Sequence, residues 1–203
     1  MGKRQEAALE TKRKIIESMK LLLQEKNADC IGIEEITMKA GVAKGSFYTY
    51  FKRKEDVISV IAMDCYNNVK ETVLNSSGSV YEQLYSYLQH SAKIIKKNTL
   101  QIAQNWMKSV TAPLPDEQGG IEKYTFDHDN IRNILEKAVQ KGELVADAPV
   151  EVITENIVNC YYGTVAAWCI TKGEAELVKG IDKLCEYGLK ILIENYKNKE
   201  DSK

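Results

Sequence analysis

The stretch that decides the fold is residues 33–56, IEEITMKAGVAKGSFYTYFKRKED. It reads as two short helices, about Glu34 to Ala40 and Ala43 to Phe51, joined by Ala40-Gly41-Val42-Ala43. Gly41 ends the first helix as a C′ glycine does and permits the sharp turn between the two. Ile36, Val42, Phe47 and Phe51 are spaced to bury against flanking helices. Lys44, Gly45, Ser46, Tyr48, Thr49 and Tyr50 remain as candidates for an outward face. Such a set suits a groove lined by bases and phosphates. Lysine supplies a cation, glycine admits close backbone approach, and the hydroxyls bond phosphate oxygens or base edges.

Working outward, Leu9, Ile15, Ile16, Met19, Leu22 and Leu23 keep steps of three and four and predict a helix from about Ala8 to Lys26. A long fourth helix is expected from Lys54, with Val57, Ile58, Ile61, Cys65 and Val69 on one stripe. Val80, Leu84, Leu88, Ser91 and Ile95 mark a fifth over about 80–97. Further helices are expected over about 100–110, 121–141, 149–171 and 174–197, and a long loop at Thr111–Gly120. The chain has only 12 Gly and 3 Pro in 203 residues, and with so few breakers an all-α fold of about nine helices is expected. Residues 1–55 are expected to form a three-helix helix-turn-helix domain. Residues 56–203 are expected to form a helical ligand-binding and dimerisation domain.

Charge separates the same two parts. Residues 1–54 hold twelve Lys or Arg against seven Asp or Glu, and the remainder sixteen against twenty-two. A basic head on an acidic body points to an anionic partner for the head alone. The apolar fraction of 44% and charged fraction of 28% exclude a disordered chain. No apolar run is long enough to span a bilayer, and the polar start MGKRQE lacks the apolar centre of a signal peptide. Five scattered cysteines (Cys30, Cys65, Cys160, Cys169, Cys185) form no C-x-x-C pair and read as reduced thiols, so a cytoplasmic protein is expected.

The segments Ile36-Thr37, Ala40-Gly41-Val42, Ala43-Lys44-Gly45-Ser46-Phe47-Tyr48, Tyr50-Phe51 and Lys54-Glu55-Asp56-Val57 together resemble the DNA-binding domain of the tetracycline-repressor (TetR) family of transcriptional regulators. The likeness covers roughly residues 10–57. It implies that Lys44, Gly45, Ser46, Tyr48, Thr49 and Tyr50 contact a double-stranded DNA operator. It also implies that Lys54 clamps a phosphate at the start of the fourth helix, assisted by the helix dipole. The chain departs from the family pattern at Ala43, where Ser or Thr is usual, and at Gly32-Ile33, where a Thr commonly opens the second helix.

The last two helices carry more apolar surface than one stripe needs. Ile157, Val165 and Trp168, with Leu177, Ile181, Leu184, Gly188 and Ile191, are the candidate homodimer interface, a four-helix arrangement from two chains. The family uses its last two helices in this way. Among the aromatics of the middle helices, Tyr66, Tyr87, Trp106, Phe126 and Tyr162 are the candidates to line a site for a small apolar or aromatic effector. No catalytic residue, metal site or cofactor is expected. Asp127-His128-Asp129 point in different directions on a helix, and no nucleophile elbow, P-loop or dinucleotide fingerprint is present. The expected function is a homodimeric, ligand-responsive regulator, most simply a repressor that its effector releases from a pseudo-palindromic operator. The rival is an all-α small-molecule-binding protein or enzyme without a DNA role. Salt-sensitive retention on DNA separates the two.

Overall fold

Ile15, Ile16, Met19, Leu22 and Leu23 form one buried stripe on the first helix, as their spacing predicts, whereas Leu9 is exposed. In the computed structural model, which describes residues 3–61, 78–97, 100–111 and 119–198, this helix is α1 (Lys3–Glu25). It starts earlier than the apolar pattern indicates because residues 3–8 are strong helix formers. A 3₁₀ turn (Ala28–Cys30) leads to α2 (Ile33–Ala40) and α3 (Lys44–Tyr50). Helix α4 is described over 54–61. Then follow α5 (Val80–Lys97), α6 (Leu100–Thr111), α7 (Gly119–Gln140) and α8 (Val150–Ile170). The last helix joins α9 (Leu177–Leu184), a π-helical turn (Cys185–Leu189) and α10 (Lys190–Asn195). The fold is all-α. Among the described residues there is no strand, only an isolated bridge between Leu144 and Lys197.

The α2–α3 turn forms for the expected reason. Gly41 sits at φ +65°, its N–H bonds Met38 O at 3.1 Å, and the Val42 N–H reaches back to Thr37 O at 3.0 Å. This is a Schellman cap, and it needs the left-handed backbone that glycine adopts without steric cost. Helix α4 is capped by Asp56, whose Oδ2 accepts the Lys52 and Arg53 N–H groups at 2.9 Å each. A carboxylate there also meets the positive end of the helix dipole.

Buried apolar side chains among the described residues fall into two clusters. The first unites α1 to α4 around Ile36, Phe47, Phe51, Val57, Ile58 and Ile61, and it also takes in Ile102 from α6. The second is built from α5 to α10, with Val80, Leu84, Leu88 and Ile95 contributed by the expected stripe of α5. Helix α7 packs along α8, and α5 against α9. A Cβ on Gly180 would stand 2.9 Å from Thr164 Cγ2, so α9 approaches α8 more closely than a larger residue permits. Among the described residues no helix is long and apolar enough to cross a membrane.

Candidate functional site

The head presents α3 as its outward element. Phe47 is fully buried and fixes the helix, while Lys44, Gly45, Tyr48 and Thr49 are exposed and Ser46 is partly covered. Tyr50 differs from the expectation, because its ring packs against the head core and only part of it meets solvent. Lys44 is ion-paired with Glu34 of α2. That hydrogen bond holds the Glu34 carboxyl below its usual range and the Lys44 ammonium above its own. Lys26 pairs with Glu35 at 2.5 Å and Lys39 with Glu25 at 2.9 Å, so several of the head's lysines meet its own glutamates at the surface.

Lys54 also differs from the expectation. Its ammonium donates to the carbonyls of Ala28 (2.6 Å), Ile31 (3.1 Å) and Asp29 (3.3 Å). It therefore pins the α1–α2 connection to α4, and those carbonyls take the donors that a phosphate would use. Ala43 is the N-cap of α3 and makes no side-chain cap bond.

In the body, Tyr87, Trp106, Phe126 and Tyr162 gather around Asp127, which the sequence offered only as a metal ligand, and Lys123, which it did not single out. Asp127 of α7 is buried, and its Oδ1 accepts from Tyr87 Oη at 2.6 Å and its Oδ2 from Tyr162 Oη at 2.7 Å. Lys123, one turn earlier and also buried, is ion-paired with the same carboxylate. Trp106 lies 5.4 Å from Tyr162 between ring centroids, and Phe126 lies 5.8 Å from Lys123 Nζ. Burial, reinforced by the Asp127 carboxylate, pushes the Tyr87 phenol far up, and burial lowers the Lys123 ammonium. The remaining aromatic candidate, Tyr66, lies outside the described residues. One signal was available for the pairing of Lys123 with Asp127. Steps of three and four backward from Ile134 along the buried stripe of α7 pass through Ile131 or Asn130 to Asp127 and Lys123.

The interface expectation needs correction. Ile157, Val165 and Ile181 lie in the chain's own core, and Trp168 and Leu177 are buried there too but also line the groove described below. Helix α8 is apolar on both sides, so hydropathy alone does not tell the inward side from the outward one. The outward side carries Val152, Cys160, Gly163, Ala167 and Ile170, the last 79% exposed. It runs beside Leu184, Gly188, Tyr187 (68% exposed) and Ile191 (57% exposed) of the last helix. Between the two helices lies an open groove of about 640 Å³. Leu184, Gly188 and Ile191 thus remain on an outward face, and a Cβ at Gly163 would meet nothing within 4 Å.

The head has the arrangement of a helix-turn-helix, in which the second helix is the one that enters the DNA major groove. Over residues 15–61 the chain matches the family model described as bacterial regulatory proteins, tetR family. It is 27% identical over 169 residues to the Transposon Tn10 TetC protein of Escherichia coli, covering 80% of this chain and 81% of that protein. In fold it is similar to Thermus thermophilus FadR, a TetR-family transcriptional repressor in complex with lauroyl-CoA. That match has a TM-score of 0.71 and 18% identity over 95% of this chain and 98% of that one. It is also similar to the Bacillus subtilis transcriptional regulator FadR in complex with stearoyl-CoA, with a TM-score of 0.63 and 21% identity over 89% and 97% of the two chains.

Proposed function

We propose that the chain is a homodimeric repressor that binds a pseudo-palindromic DNA operator through α3 and is released by a small apolar or aromatic effector bound in the body. The observation that carries this reading is the division of α3, with Phe47 buried and Lys44, Gly45, Tyr48 and Thr49 turned outward. One such helix spans only a few base pairs. Two, held about 34–36 Å apart, would read successive major-groove faces. The outward side of α8 and the last helix offers the surface to hold two copies together, being apolar, flat at Gly163 and Ala167, and continuous over both helices. The acyl-CoA complexes of the two FadR proteins support a ligand-responsive body. Helix α6 supplies a route for coupling, since Ile102 lies in the head core and Trp106, one turn on, reaches the rings around Asp127. An effector shifts the DNA equilibrium only by as much as it prefers the arrangement that does not fit the operator.

Selection of bound sequences from a random DNA pool tests the reading. The expected outcome is a two-fold symmetric site, with affinity falling steeply as salt rises. Lys44→Ala and Tyr48→Ala should each weaken binding to the selected site while the solution mass stays that of two chains. Unchanged affinity in both variants, or a mass of one chain, overturns it.

A further inference from the structure

Lys123 and Asp127 have side chains 2% and 1% exposed, in a core otherwise made mostly of Ile, Leu, Val and aromatic residues. Withdrawing two charges from water costs several kcal/mol per ion, and apolar residues of similar volume often stabilise a core as well or better. Stability therefore gives no reason for the pair, whereas recognition does. A few converging polar groups within aromatic walls are the usual make-up of a small-molecule site.

The hydrogen bonds indicate which charge a ligand would carry. Asp127 accepts from two tyrosine hydroxyls on two other helices, in addition to Lys123. A cationic ligand would have to compete with all three donors. An anion that draws the ammonium across leaves Asp127 with Tyr87 and Tyr162. Lys123 Nζ lies 5.8 Å from the Phe126 centroid and 6.0 Å from that of Tyr162, so aromatic faces flank its path. The wall also reaches solvent, because Tyr124, 37% exposed, stands 5.6 Å from Tyr162.

Building on the effector-responsive reading above, we propose that the effector is an organic anion. Its acidic group binds Lys123, and its aromatic or apolar body lies against Trp106, Phe126 and Tyr162. The full-length protein can be titrated with anilinonaphthalene sulfonate and with phenylnaphthylamine, the same ring system without the acid. A charge-assisted hydrogen bond is worth about 1.5–3 kcal/mol, so the sulfonate should bind roughly tenfold to a hundredfold more tightly. Lys123→Met should abolish that preference. The double variant Lys123→Met with Asp127→Asn removes both charges, keeps the core filled, and should behave in the same way, which covers misfolding of the single variant. A sulfonate preference that persists in either folded variant, or is absent from the wild type, overturns the anchor. DNA retention of the same preparations separates the two proposals. Wild type that binds DNA but shows no Lys123-dependent preference overturns the anchor alone. Wild type that fails to bind DNA overturns the regulator reading, and the anchor falls with it.

Discussion

In the head, Lys26–Glu35, Lys39–Glu25 and Lys44–Glu34 all lie at the surface, whereas in the body Lys123 and Asp127 are withdrawn into the core and locked by hydroxyls from α5 and α8. The same residue types serve different ends in the two places. An exposed lysine changes partner at little cost, from a glutamate on its own chain to a phosphate on another molecule. A buried lysine changes partner only for a group that can enter the core and replace what it leaves. The head is thus suited to a large, uniformly charged partner, and the body to a small and particular one.

That contrast has measurable edges. Asp127→Ala leaves a buried ammonium and two tyrosine hydroxyls without their carboxylate, and should cost about 3–5 kcal/mol in urea unfolding. A loss no larger than that of a surface pair would remove the distinction. Ala43→Ser adds the missing side-chain cap to α3 and should raise head stability by about 1 kcal/mol. No gain in the urea midpoint would mean that the α3 N-terminus is already satisfied. The smallest effect is expected from Glu34→Gln, which breaks an exposed pair and should leave the urea midpoint unmoved. A clear shift there would make the Lys44 contact part of the head's framework rather than a replaceable partner.

The head was legible in sequence because its information is local. Turn glycine, buried aromatics and outward hydroxyls all fall within residues 33–56, and the spacing that forms the helices also sorts their faces. The exceptions come from packing beyond that window. Tyr50 leans on the head core, and Lys54 reaches carbonyls more than twenty residues away in sequence. The body is different. Asp127 meets Tyr87 across 40 residues and Tyr162 across 35. Lys123 and Asp127 share the i, i+4 spacing of Arg132 and Glu136 on the same helix, and that second pair is open to solvent. Spacing alone therefore marks a charged pair without saying which side of the helix is covered. The same ambiguity shifted the expected interface on α8 from its outward side to its inward one, since both are apolar.

The seat of Ile102 in the head core has a consequence for anyone who would recombine such proteins. A graft that swaps the first sixty residues for those of a relative would import a socket shaped for a different plug. Chimaeras should function when the residue at position 102 travels with the transplanted head, and should be poorly soluble when it is left behind.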